Sequence, residues 1–560
     1  MIKKMLFVLS VLILNSGNSQ SQESIYNKEF LDSLFNEYIK LKEPLRDQEY
    51  EKLTSSVPGN NKCGFSVITF VRQNLNLFTP QQQEVINKFL GRPTSPFSIV
   101  SSSGKFRIHY DTTSTVKPKY NSSLNVEENL AMVDKAIDSA YNFEVKYLGY
   151  PPPPSDNGSG GDNLYDIYIT NLGDYGYTDP ESDLGNDKYT SFMVIDNDYV
   201  GFYSTGIYGL QVTLAHEFHH AIQMGNYILR WADVFFYEIT STSMEEFVFD
   251  DVNDYYAYMP SYFLSPQRAF SENDGYNLTI WNIYLKDNFD FNIIKRQWEL
   301  MPNQRALDAI NTSLSERSSN FKHELNNFGV WTYYTNYRAV SSKFFEEASQ
   351  YPLIRPLYTI AFTSPSDIIT INSKPTANNF IRITNQDYNN DTLFVLITNG
   401  DVQTAVINNN QTDSITYYLY DYPENGANKV DSAYYSKFTT KNPFLWAVSE
   451  ISDTTINVIE PQPETDYPYP MPFSYNKYLA GKIYIPVSAN NTSTAGLYVF
   501  NMAMELIYSN DEVQIDKLNK NVISWTVKDN NDEKLASGVY FYVVKSGDDV
   551  KKGKLVILHD

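Results

Sequence analysis

A single cysteine, Cys63, stands among 560 residues, which excludes an internal disulfide framework and any metal site built from several thiolates. Histidine is scarce too, with six residues in the whole chain, so two of them at metal-ligand spacing are informative. Cations are few. There are 44 Lys and Arg against 66 Asp and Glu, for a net charge of −22. A nucleic-acid partner is disfavoured, because holding phosphates needs clustered cations. Past the first fifteen residues nothing approaches ~18 uninterrupted apolar residues, so the mature chain is expected to carry no transmembrane segment.

What is present begins with an export pattern. Lys3 and Lys4 precede an uncharged apolar run, Met5 to Leu14, and then small polar residues. This is the layout of a signal peptide over 1–20, and ten apolar residues are too few to span a bilayer. No cysteine follows the run, which argues against a lipid anchor. The protein is therefore expected to be secreted or at the cell surface. Hydrophobic residues make up 42% and charged ones only 20%, so the chain is globular rather than a disordered acidic tail. The 45 Tyr and 33 Phe favour strands.

Residues 21–100 read as a helical N-terminal segment and a candidate propeptide, with Phe30, Leu31, Leu34, Phe35 and Ile39 at helical spacing. Strands are predicted at KFRIHY (105–110), LYDIYI (164–169) and SFMVI (191–195), and an amphipathic helix over 125–148. The Gly- and Asp-rich stretch GDYGYTDPESDLGND reads as a loop. Its Asp174, Asp179, Asp183 and Asp187 offer oxygen ligands for calcium, but the spacing is not D-x-D-x-D-G and fits a solvated turn better. Helical pattern runs from Leu210 to about residue 340. Beyond 350, short β-rich runs (FIRITN, TLFVLITN, TAVINN, SITYYLY) predict a β-sandwich over 350–460. A proline-rich linker, Glu460 to Pro472, precedes a last β-rich module over 469–560.

One constellation carries chemistry. QVTLAHEFHHAIQMG (211–225) holds His216, Glu217 and His220, the H-E-x-x-H pattern, inside a predicted helix. Positions i and i+4 share a helix face, so both imidazoles can hold one metal ion while Glu217 sits beside the first as a candidate general base. Zinc suits two imidazoles and a carboxylate. No histidine follows until His323, so the third ligand is sought among acids. Glu238 lies 18 residues after His220, and Glu245 lies seven residues, or two turns, after Glu238 on the same face. One can bind the metal while the other supports an imidazole from behind. Glu246 points about 100° away from Glu245 and reads as a solvated acid.

His216-Glu217-Phe218-His219-His220 followed by Glu238 resembles the gluzincin metallopeptidases. The wider context is similar to a family of secreted bacterial metallopeptidases, through KCG (62–64), GKFRIHYDT (104–112), YDIYITNLGDYGYT (165–178), VIDNDY (194–199), HEFHHAIQ (216–223), YEITSTSMEE (237–246) and FGVWTYYTNYR (328–338). The resemblance implies zinc ligation by His216, His220 and Glu238, catalysis by Glu217, and an α+β zincin-like domain over 101–345. His219 stands where relatives are aromatic, and could contact the site or lie partly exposed. YPMPF at 469–473, GLYVFN, Trp525 and SGVYFYVVKSGDDVKKGKLVIL resemble the immunoglobulin-like sorting domains of the type IX secretion system. That implies the secretion machinery as a partner.

The expected activity is hydrolysis of a protein or peptide substrate through a metal-activated water. A catalytically silent surface-binding protein on the same scaffold and a gluzincin aminopeptidase are the alternatives. Cys63 has two readings, a thiolate that caps the zinc before activation or a small buried hydrophobe.

Overall fold

A computed structural model describes residues 26–43, 62–113, 115–362, 366–385, 391–407, 410, 412–424, 427–430, 433–436, 444–451, 468, 471–475, 482–487, 493–516, 521–547 and 549–558. The expected leader at 1–20 and most of the proline-rich linker lie outside the described residues. The chain divides into two compact units. One takes Met1–Ala361, Asn372–Asp413 and Thr440–Asp453, the other Phe362–Ile371, Ser414–Thr439 and Thr454–Asp560.

The first unit is built on a sheet of β1 (Phe97–Val100), β2 (Phe106–Tyr110), β3 (Tyr165–Thr170), β4 (Gly176–Gly185) and β5 (Lys188–Asp196), in the order β1-β2-β3-β5-β4. β2, β3 and β5 run parallel, while β1 and β4 are antiparallel to their neighbours. Strands sandwiched on both sides are apolar on both faces. Ile167, Ile169, Met193 and Ile195 join one core with Val133 and Ile137 of α4 (Val126–Tyr141) and Leu210, Leu214 and Phe218 of α5 (Gly206–Ile222). The alternate residues Tyr168, Phe192 and Val194 face a second core. It is supplied by Leu31, Tyr38 and Leu41 of α1 (Lys28–Lys42), Ile68, Phe70 and Val71 of α2 (Phe65–Gln73) and Ile86 of α3 (Pro80–Lys88).

β4 corrects the sequence reading, which made this stretch a loop. Its acids are matched by cations brought from elsewhere in the chain. Asp179, fully buried, pairs with Lys42 and with Arg72 at 3.0 Å, and Glu181 pairs with Arg92 at 2.7 Å. Composition alone could not anticipate that neutralisation. Asp183 and Asp187 stay exposed. Among the described residues the four aspartates do not converge on a common metal position.

From Val212 to Ile222 every residue of α5 is buried. α6 (Val234–Val248) is buried without a break from Phe235 to Glu246. Two of its hydroxyls bond back within the helix, Thr240 donating to the Phe236 carbonyl and Ser243 to the Thr240 carbonyl. Four further helices share its core: α7 (Thr279–Asn288), α8 (Phe291–Leu300), α9 (Ala306–Ser315) and α10 (Phe321–Tyr333). The Trp298 indole donates to Thr240 at 3.2 Å and Asn282 donates to Ser243 at 3.0 Å. Strands at Ala377–Asn385 and Asp391–Asn399 belong to this unit, with Phe380, Phe394 and Leu396 in the same core as Phe328. TAVINN, read as a strand, begins inside a short helix, Val402–Ile407, because the Asp401 carboxylate caps the Thr404 amide at 2.9 Å.

In the other unit the C-terminal module has its own core. Its strands at 473–474, 482–486, 494–500, 506–516, 522–526, 538–546 and 549–558 form one sheet, in which Leu506–Asp516 pairs with both Thr494–Phe500 and Val522–Thr526. Ile483, Leu497, Ile523, Trp525, Tyr542, Leu555 and Ile557 from both halves share a single core, so the sheet folds over on itself.

Candidate metal centre

α5 runs beneath β4, and the two approach closely at Gly176. A Cβ there would stand 2.9 Å from the Thr213 methyl and 3.4 Å from the Glu217 side chain. α6 lies beside α5 and presents Glu238. Gly275, at φ +98°, permits a tight approach to α6, since a Cβ there would meet the Phe235 carbonyl at 2.3 Å and Glu238 Cβ at 2.6 Å.

These contacts bring His216, His220 and Glu238 to one point. The two Nε2 atoms lie 3.0 Å apart, and Glu238 Oε2 lies 3.1 Å from His216 Nε2 and 3.4 Å from His220 Nε2. The opposite ring nitrogens are engaged. His216 Nδ1 donates to Glu245 Oε1 at 2.7 Å and His220 Nδ1 donates to Gln223 Oε1 at 2.7 Å. The Gln223 amide is oriented by its own donation to the Tyr237 carbonyl at 3.1 Å. With both Nδ1 atoms donating, two neutral imidazoles would turn lone pairs toward each other, so the contact calls for a proton or a metal ion between the two Nε2 atoms.

The electrostatics agree. Both Glu238 oxygens are buried without a hydrogen-bond partner. Burial acts to lower the His216 pKa, but Glu238 and Glu245 outweigh it and carry it up to about 10. Burial acts to raise the Glu238 carboxyl, but His220 and His216 hold it down at about 2. The pocket favours an added positive charge where the three side chains meet. The donor set of two imidazoles and a carboxylate fits zinc.

Glu217 is buried next to this point, its Oε2 accepting from Thr178 Oγ1 at 2.8 Å. Glu245 has a second partner, Lys62, at 2.7 Å. Lys62 also pairs with Asp254 and is only 2% exposed. Two further site residues are brought in from outside the motif. Cys63 is buried, and its Sγ lies within 4.8 Å of the ligand atoms of His216, His220 and Glu238. Tyr276 lies over His216 with ring centroids 6.1 Å apart. Burial and the nearby Glu238 and Cys63 raise its hydroxyl pKa. Lys62 lies in the KCG segment that carried the resemblance, although its role did not follow from it, and Tyr276 carried no signal beyond residue type. Gln223, three residues after His220 on the same helix, could have been found by spacing.

Two neighbours differ from expectation. His219 is fully buried rather than partly exposed, and it faces away from the metal position. Its Nδ1 meets Glu144 Oε2 at 2.8 Å, with burial raising the carboxyl and lowering the imidazole so that both are held neutral. Glu246 is buried rather than solvated. Burial, with Glu347 and Asp250 nearby, pushes it up to about 9.

No family model matches the chain, and no curated protein matches it. Among solved structures, the chain is similar to PorZ, an essential surface component of the type-IX secretion system of the human oral bacterium Porphyromonas gingivalis. The likeness covers 16% of this chain and 11% of that one, at 18% identity and a TM-score of 0.13, and carries no argument about fold or function. No helix among the described residues is long and apolar enough to cross a membrane.

Proposed function

We propose that the chain is a secreted zinc-dependent peptidase of the gluzincin type, with a zincin-like catalytic region. The observation that carries this reading is the pair of facing Nε2 atoms on His216 and His220, 3.0 Å apart, with the unpartnered Glu238 carboxylate beside them. These three side chains would hold the metal. Bound zinc supplies Lewis acidity toward a peptide carbonyl and lowers the pKa of water in the site.

The chain's own residues do the rest. Glu217 takes a proton from the attacking water and returns it to the leaving amine nitrogen, and Thr178 holds its carboxylate in place. Glu245 and Gln223 fix the tautomers of the two imidazoles. Tyr276, whose ring lies over His216 and whose hydroxyl donates to the Cys63 carbonyl at 3.5 Å, is a candidate donor to the oxyanion that develops at the substrate carbonyl once that segment is displaced.

Export is part of the same proposal. The leader pattern at the N-terminus and the self-contained C-terminal module support passage out of the cell through the type IX machinery.

The test pairs metal analysis with cleavage of an unfolded protein by the purified chain and by its Cys63→Ala form. About one zinc per chain is expected, with cleavage by at least one form that falls ~10²-fold or more on Glu217→Gln. A zinc-loaded chain neither of whose forms cleaves would instead be a binding protein on a peptidase-like scaffold.

A further inference from the structure

We propose that Cys63 is a fourth ligand of this metal and that Lys62–Phe65 forms a built-in plug that keeps the site latent. The inference rests on the zinc-peptidase reading and adds to it how the site is regulated.

The surroundings of Cys63 are wrong for a small buried hydrophobe. Its sulfur lies within 4.8 Å of ligand atoms on His216, His220 and Glu238, and it accepts from the Phe65 amide at 3.3 Å. A sulfur held among two imidazoles and a carboxylate is placed to join them on one cation.

Each residue of the plug is separately fixed. Lys62 is locked between Glu245 and Asp254, and its carbonyl accepts from the Tyr175 amide at 3.2 Å. Cys63 forms a parallel bridge with Gly176, at the head of β4, on the edge that the rest of the sheet leaves open. The Gly64 amide donates to the Gly176 carbonyl at 3.2 Å, and the Leu41 side chain of α1 closes in behind, 2.2 Å from where a Cβ at 64 would sit. Phe65 stacks on His220, with centroids 3.9 Å apart and planes at 8°. The plug thus occupies a sheet edge to which an extended peptide would add as a strand. With it in place His216, Glu217, His220 and Glu238 are each no more than 1% exposed, so a polypeptide reaches them only by displacing it.

Coordination by Cys63 would fill the position that a catalytic site leaves open for water. The S–H bond breaks, its proton is released to solvent, and a sulfur–metal bond forms with no change in oxidation state.

The test loads the full-length chain with cobalt(II) in place of zinc and records its absorption spectrum. A thiolate-to-cobalt charge-transfer band in the near ultraviolet is expected from the wild type and is lost in Cys63→Ala, which still holds the metal. Cys63→Ala loaded with zinc is expected to cleave an unfolded protein ~10²-fold or more faster than the wild type, since the plug loses its bond to the metal and a substrate strand displaces it more readily. Cobalt bound to the wild type without that band, or a Cys63→Ala form no faster than the wild type while both cleave, overturns the plug and leaves the metallopeptidase reading standing. A wild type that binds no cobalt overturns both. The charge-transfer band with no cleavage by either form upholds Cys63 as a ligand and overturns the peptidase. If the alanine form does not fold, the wild-type spectrum alone decides the ligand.

Discussion

Glu245 accepts from Lys62 through one oxygen at 2.7 Å and from His216 through the other at 2.7 Å, so a single buried carboxylate joins the segment that covers the site to an imidazole that forms it. Glu245 is therefore an orienting group whose loss should be felt on both sides, while Glu238 meets the metal position directly.

The two acids should separate in a chelator-competition titration. Glu245→Gln is expected to weaken zinc binding by ~10–100-fold, the usual effect of losing a group that orients a ligand. Glu238→Gln should weaken it further, because a charged donor is removed. The opposite ranking would exchange the two roles.

Lys62→Met should be strongly destabilising. It leaves Glu245 and Asp254 buried without their cation, and breaking a buried pair in this way typically costs about 3–5 kcal/mol. Urea unfolding of the variant and the wild type measures it. A loss below about 1 kcal/mol would mean that the plug is not anchored by its lysine.

Glu246 should make stability fall as pH rises. Its folded pKa is raised from 4.5 to about 9 by burial and by Glu347 and Asp250. Between those values the folded state holds a proton that the unfolded state has released, so this stabilisation is complete below about pH 4.5 and is lost progressively as pH climbs toward 9. Glu246→Gln should flatten that slope and raise stability at pH 8 by at least ~1 kcal/mol, with little gain at pH 4. Thermal melts across this range check it, and parallel curves for the two proteins would refute it.

Deleting residues 469–560 should leave the metal centre intact, since the core of the last module draws only on residues 473–557. Zinc content of the truncated protein checks the first point. If the module directs export as proposed, the truncated chain expressed in a host with a type IX system should accumulate in the periplasm. Unchanged delivery outside the cell would make the module an accessory domain.

Local signals made part of this molecule legible. The helical run around His216 and His220 and the apolar runs KFRIHY, LYDIYI and SFMVI coincide with α5, β2, β3 and β5, because periodicity and apolar runs report burial directly. Helices and sheets in one chain were expected, and both are present. What stayed hidden depends on partners far away in sequence. β4 is rich in Gly and Asp and takes its place only once Lys42, Arg72 and Arg92 neutralise its acids. His219 finds Glu144 75 residues away, and Lys62 reaches Glu245 183 residues on. No spacing rule links such pairs. Glu246 looked solvated because a helix with acids at its end usually turns them outward, but α6 is enclosed along almost its whole length.

The helices over residues 28–88 cover Tyr168, Leu172, Tyr177, Phe192 and Val194 on one face of the sheet. A protease that cut immediately behind Cys63 would free the metal, but the departing α1 would uncover part of that face. A recombinant form begun at Phe65 would carry the same oily patch into solution and would be prone to self-association and precipitation at working concentrations. Opening the candidate site is therefore a task for a point substitution at Cys63, with the preceding helix left in place as a lid on the sheet.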